Sequence, residues 1–165
     1  MSAGRGAADI GSPVASLRHV QPVTLRTATG NDVDAVLDFW RQAAENASRP
    51  VDGRTGVKAL LERDPDALTL AETDGRIVGT LISGWDGWRC HLYRLAVAPD
   101  ARGGGVARLL VAAAEERCAA LGATRADALV LNSNRQAHPA WEALGYSPQP
   151  DWSRWVKALP PVVAG

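Results

Sequence analysis

A mixed α/β domain is what this chain predicts, on three observations. Residues 68–72 and 77–83 are apolar runs meeting at Asp74-Gly75, a hairpin signal because the turn needs φ > 0. Residues 91–98, 105–121 and 127–131 read as strand, helix, strand. That connection is far too long for a hairpin, so the unit must be a right-handed parallel crossover. A glycine triplet, Gly103-Gly104-Gly105, stands where this strand hands over to this helix. Antiparallel pairing early and one crossover late place both kinds of neighbour in one sheet.

The remaining elements follow in order. Residues 22–29 alternate Val23, Leu25 and Thr27 with polar Thr24 and Arg26, a first strand. Residues 31–46 are a first helix with Val33, Val36, Leu37, Trp40 and Ala44 on one stripe, and Thr29 and Asp32 have capping-box spacing. A second helix, 55–63, carries Val57, Leu60 and Leu61 and stops before Asp64-Pro65. The third helix puts Val106, Leu109, Leu110, Ala113, Arg117 and Leu121 near one face and ends at Gly122. A fourth helix, 135–144, closes on Gly145, and residues 152–159 make a last strand. The expectation is one domain over residues 21–160, with about six to seven strands and about four helices. Residues 1–20 and 161–165 are expected to be flexible tails.

Composition fits this without deciding it. The chain has 165 residues, is 46% apolar and 22% charged, and carries a formal net charge of zero. Balanced charge with no basic run argues against nucleic acid as principal ligand. No apolar stretch approaches the roughly 20 residues that span a bilayer, and the first 20 residues hold no continuous apolar run, so neither a membrane partner nor a signal peptide is expected. Cys90 and Cys118 are the only cysteines, and two lone thiols fit a reducing, cytoplasmic location. Cys118 reads as a small apolar side chain on the third helix, and no Cys-His-Asp order supports Cys90 as a nucleophile.

A strand, a glycine turn and a helix N-terminus together present unpaired backbone N–H groups and the positive helix end to an anion. Glycine suits the turn because a Cβ blocks close approach of the backbone. A P-loop would follow its glycines with Lys, and none follows here. A dinucleotide fingerprint starting at Gly103 would meet Arg108 where its last glycine belongs, and Asp127 sits too early on its strand to reach a ribose. What remains is Arg102-x-x-Gly105-x-Ala107. It resembles the Arg/Gln-x-x-Gly-x-Gly/Ala signature of the GNAT superfamily of N-acetyltransferases. A second segment, Asn134-x-x-Ala137-x-x-x-Trp141-Glu-x-x-Gly145-Tyr146, is similar to that family's Asn-x-x-Ala-x-x-x-Tyr-Glu-x-x-Gly-Phe/Tyr. The likeness spans roughly residues 22–159.

The resemblance implies a fold in which the fourth and fifth strands splay apart and the cofactor's pantetheine arm lies in the opening. Leu95, Ala96 and Val97 would bond that arm through their backbone. Arg102, Gly103, Gly104, Gly105, Val106 and Ala107 would hold the pyrophosphate of acetyl-CoA, with no metal. Asn134 would orient the cofactor arm, a role compatible with its plainer one as a helix cap, and Ala137 lies in the same segment. The implied activity is transfer of an acetyl group directly to a primary amine, of a small molecule or else of a protein N-terminus or lysine. A homodimer is a further expectation from relatives.

The chain departs from the family at two catalytic points. The usual general-acid Tyr falls at position 141, where this chain has Trp. An indole N–H cannot deliver a proton to sulfur at neutral pH, so Trp141 is expected to pack against the acetyl-thioester end. The fourth strand also lacks the Glu that many relatives use as base. These gaps motivate an alternative, a non-catalytic acyl-CoA sensor, while a nucleotide-binding domain unrelated to CoA is a third class. By period-two alternation His91 and Tyr93 share a face with Leu95 and Val97. His91 has the intrinsic basicity to accept an ammonium proton, or else is simply half-buried at a strand start. Tyr93 is a wall of the acceptor site or ordinary packing.

Six Trp stand against one Phe and two Tyr. Trp85 and Trp88 bracket Asp86-Gly87, and Trp155 lies on the last predicted strand, so all three are candidates to line an acceptor site. They could equally close a core poor in Phe. Asp86 could pair with an acceptor ammonium, although Asp-Gly is first of all turn chemistry.

Overall fold

A computed structural model describes residues 22–43 and 52–159. The predicted tails, and Ala44 to Asn46 of the first predicted helix, lie outside the described residues.

Among the described residues five strands form one sheet in sequential order. They are β1 (Thr24–Thr27), β2 (Leu68–Thr73), β3 (Arg76–Trp85), β4 (Cys90–Val97) and β5 (Ala126–Ala128). The first four pair antiparallel, and β4 pairs β5 in parallel, as the crossover requires. The helices are α1 (Val33–Ala43), α2 (Arg54–Arg63), α3 (Val106–Ala120) and α4 (Ala137–Ala143). The mixed α/β class and the four helices therefore stand.

The sheet separates two cores. On one face Val33, Val36, Phe39 and Trp40 of α1 and Val57 and Leu61 of α2 pack on Leu68, Leu70, Ile82 and Ala96. On the other, Val106, Leu110, Val111, Ala114 and Cys118 of α3, with Trp141 of α4, cover Ala71, Val78, Leu81 and Leu92. The buried stripe of α3 is turned from the predicted one, leaving Leu109 and Leu121 partly exposed at 44% and 43%. Close approach sets this phase. A Cβ on Gly79 of β3 would stand 2.7 Å from Val106 Cγ1 and 2.9 Å from Leu110 Cδ1, so only glycine lets α3 seat there.

The N-terminal edge is tied by charge. Asp32 accepts the amide and the hydroxyl of Thr29 at 2.7 and 2.9 Å, the expected capping partnership, and also takes the Arg26 guanidinium. That guanidinium holds the Asp32 carboxyl well below the usual carboxylate range. Across the sheet, Arg117 of α3 grips Asp64 with two bonds of 2.6 and 2.7 Å and bonds the Ser83 carbonyl at 2.8 Å.

Two expectations are corrected. Cys90 and Cys118 are not lone thiols; they form a disulfide joining β4 to α3, with Cα atoms 6.0 Å apart. Both are fully buried, so the fold itself brings two ordinary core positions into bonding distance. Closing a loop with a sequence separation of 28 contributes about 3–4 kcal/mol by the chain-entropy relation. The second correction is the last strand. Residues 152–159 form no strand, and Trp152, Trp155, Val156 and Leu159 are 78–92% exposed. The physical reason is spacing. Apolar positions 152, 155, 156 and 159 cannot share one face of a period-two element, and Pro148 and Pro150 precede them with no donors for a ladder.

Candidate active site

The glycine turn is built as its sequence suggested. After β4 a 3-10 turn, Pro99–Ala101, leads into Arg102 and then α3, with Gly103 at φ 75° and Gly105, the N-cap, at φ 83°. Those left-handed values are why glycine stands there. Gly104 donates to the Ala101 carbonyl at 3.4 Å. Among the described residues the amides of Gly103, Gly105, Val106, Ala107 and Arg108 donate to no backbone carbonyl, so the protein leaves them unspent. They sit at the positive end of a 15-residue helix. Asp100 bonds Arg76 at 2.8 Å and Arg102 Nε donates to the Val97 carbonyl at 3.3 Å, which steadies the turn against β3 and β4.

Beside this turn the sheet opens. β4 and β5 pair only at Cys90, His91 and Leu92, with one further bond from the Leu129 amide to the Leu92 carbonyl. Beyond it β4 runs on to Val97 while β5 has ended, so among the described residues Leu95, Ala96 and Val97 have no strand partner on that side. The splay expected from the resemblance is present.

One expectation about β4 fails. His91 and Tyr93 do not share a face with Leu95 and Val97. Arg94 and Leu95 together oppose the single residue Leu81, a bulge that flips the alternation. Tyr93 and Ala96 consequently pack on the α1/α2 side, and Leu95 and Val97 on the α3 side. Arg94 adopts φ 57° at this point, a strained backbone for a non-glycine residue. It is held there from several directions. Thr80 Oγ1, fully buried, accepts Trp40 Nε1 at 2.9 Å and donates to the Arg94 carbonyl at 3.0 Å. The Arg94 guanidinium pairs with Asp52 and lies 5.6 Å above the Trp40 ring. Nothing in the sequence marks a bulge at an arginine, so period-two counting runs straight through it. Thr80→Val keeps the volume but strands a buried indole N–H. It should lower stability by about 2 kcal/mol in urea unfolding; an unchanged midpoint would show that the hydroxyl holds nothing.

At the other end of β4, His91 and Tyr93 lie near the β3–β4 turn. The Tyr93 hydroxyl occupies the space beside Gly84 that a Cβ would fill, and burial, with a smaller contribution from Asp86, raises its phenol above the usual value. His91 Nε2 is 3.7 Å from Asp86 Oδ2. Trp88 belongs to the same turn and is 77% exposed, with Arg89 stacked 4.8 Å over its ring. Trp85 instead packs against the α3-side core, and Trp155 is 92% exposed on the irregular C-terminal segment. The three tryptophans thus do not form one cluster.

Asn134 behaves as a cap, its Oδ1 and its carbonyl both accepting the Ala137 amide at 3.3 and 3.1 Å. Trp141 is buried in the α3-side core, edge-on to Tyr146 with ring centroids 4.9 Å apart. Tyr146 donates to Glu115 at 2.8 Å, and burial first, Glu115 second, raise its phenol above the usual value.

Comparison with known proteins agrees with this architecture. An acetyltransferase of Pectobacterium atrosepticum is 32% identical over 123 residues, covering 74% of this chain and 86% of that protein. The structure of AAC(6')-Iy with the bisubstrate analogue CoA-S-monomethyl-acetylneamine superposes with a TM-score of 0.67 at 19% identity, covering 84% of this chain and 99% of that one. The aminoglycoside acetyltransferase meta-AAC0020 from an uncultured soil metagenomic sample, in complex with sisomicin, gives 0.68 at 15% identity, covering 84% and 97%. The model of the acetyltransferase (GNAT) family matches residues 33–146. With the splayed sheet, the unspent amides at the α3 turn and these matches together, the chain belongs to the GNAT family of acetyltransferases and is an acetyltransferase enzyme.

Proposed function

We propose that this enzyme transfers the acetyl group of acetyl-CoA directly to a primary amine of a small molecule. The observation that carries this is the set of uncommitted amides of Gly103, Gly105, Val106, Ala107 and Arg108 at the N-terminus of α3, beside the opening between β4 and β5. A diphosphate suits that turn by charge and by donor geometry. The free edge of Leu95, Ala96 and Val97 suits the amides of a pantetheine arm, which would add to β4 as a further strand does. Neighbours in fold that carry a CoA-linked neamine analogue or sisomicin support an amine on a small molecule as acceptor.

His91 takes the ammonium proton, and the freed amine attacks the thioester carbonyl. The carbon–sulfur bond then breaks, the sulfur leaves as thiolate, and the second proton of the acylated nitrogen passes through solvent to that thiolate. A thiol with an intrinsic pKa of about 8.5 is a tolerable leaving group without a protein acid, which fits a buried indole at position 141. Tyr93 and Trp88 border the acceptor, Asn134 and Ala137 shape the far side of the cofactor arm, and Trp141 backs it from the core. Acetyl-CoA is a cytoplasmic metabolite, and on that ground the reaction belongs in the cytoplasm; the cysteine ground for that compartment is lost with the Cys90–Cys118 bond.

Thiol release from acetyl-CoA across a panel of small polyamines, aminoglycosides, amino acids and peptides tests this. Turnover with small amines and silence with peptides is the expected result. Peptide-only turnover would move the acceptor to proteins, and silence across all classes would refute the assignment.

A further inference from the structure

The β3–β4 turn holds its carboxylate unusually firmly for an exposed loop. Asp86 Oδ1 accepts the amides of Arg89 at 2.7 Å and Trp88 at 2.8 Å. Those bonds, with His91 as a smaller contributor, hold the carboxyl below its usual range. Oδ1 is thereby committed to the turn, and Oδ2 is left pointing at His91 Nε2, 3.7 Å away. An Asp-Gly turn requires only the first arrangement. The second is a product of the fold: His91 lies opposite Gly84 in the register, and the Tyr93 hydroxyl fills the space beside that glycine.

Resting on His91 as the base, we propose that Asp86 is its positioning residue: the anchored carboxylate holds the Nε2 edge of the imidazole and leaves Nδ1 to accept the substrate proton. At 3.7 Å the carboxylate acts on the ring through its charge rather than through a hydrogen bond, and that charge favours the neutral tautomer with its proton on Nε2. The carboxylate also stabilises the imidazolium that forms when the amine is deprotonated. Other charged or titratable groups face His91 as well. Tyr93 lies two residues along β4, with its phenol raised. Asp127 is the register partner in β5, and its Oδ1 is taken by Arg125 Nε at 2.6 Å. Arg89, on the turn, is stacked on Trp88. Asp86 is therefore the carboxylate whose oxygen is directed at the ring.

Asp86→Asn is the informative change, because an amide oxygen can still accept both turn amides while the charge is gone. Nitrogen NMR of the His91 ring, identified among the three histidines by its loss in His91→Ala, reads the tautomer without needing an acceptor. Wild type should carry the proton of the neutral ring on Nε2, and Asp86→Asn should lose that bias. With an acceptor from the amine panel, kcat should fall about tenfold in Asp86→Asn, with KM for acetyl-CoA unchanged. Asp86→Glu should recover part of kcat. An unchanged tautomer ratio in Asp86→Asn overturns the proposal. If Asp86→Asn shifts the tautomer but His91→Ala leaves kcat and the pH profile intact, it is the base assignment that fails, and the two outcomes are distinguishable.

Discussion

Gly105→Glu should abolish CoA binding while leaving the fold in place. The substitution acts in three ways at one atom position. Gly105 sits at φ 83°, where an L-residue costs roughly 1–2 kcal/mol. A Cβ there meets no protein atom within 4 Å, so the new side chain projects into open space rather than into the core. That space is where a diphosphate would face the amides of Gly105, Val106 and Ala107, and the carboxylate would take its place at the helix N-terminus. A loss of about 100-fold or more in CoA affinity is expected, about 2.8 kcal/mol. Thermal unfolding reads it directly. Wild type at CoA concentrations of 100 times Kd gains about 2.7 kcal/mol, roughly 5–10 °C for a chain of this size, and the variant should gain nothing. Gly105→Ala separates the causes, because it carries the backbone strain without the charge and should retain most of the shift. If Gly105→Glu binds CoA as wild type does, the cradle lies elsewhere and the assignment of the α3 turn is wrong.

His91→Ala should lower kcat by about 10²–10⁴-fold, the usual range for removing a positioned general base, with little change in KM for acetyl-CoA. The acid limb of the pH–rate profile should disappear with it. The sign follows from the role: a base must be neutral to accept a proton, so activity with His91 present falls as pH drops through its titration. Without it, the remaining pH dependence belongs to the substrate ammonium alone and rises steadily with pH. A structural loss is easily told apart, since His91 is only half-buried at the start of β4 and its removal leaves the core intact. An unchanged kcat and an unchanged profile would return His91 to an ordinary strand residue.

Much of this was legible in the amino-acid sequence. The glycine turn, the crossover, the hairpin at Asp74-Gly75 and the amphipathic helices depend on local chemistry. Gly103 and Gly105 take positive φ because they alone can do so cheaply, and an amphipathic stripe reports burial wherever the helix docks. The turn from Arg102 to Ala107 is therefore legible as one unit from its residues alone.

What sequence alone dictated about this protein was its class of fold and the glycine turn that opens α3, because backbone conformation and helix polarity are properties of short segments. Tertiary structure decided the rest. The bulge at Arg94 exists because Thr80, Trp40 and Asp52, distant in sequence, converge on one strained residue, and it sends His91 and Tyr93 to the opposite face from Leu95 and Val97. The Cys90–Cys118 bond, the burial of Trp141 and the approach of Asp86 to His91 are likewise products of packing between separate elements. No local pattern encodes which side chains the completed sheet brings within a few ångströms of each other.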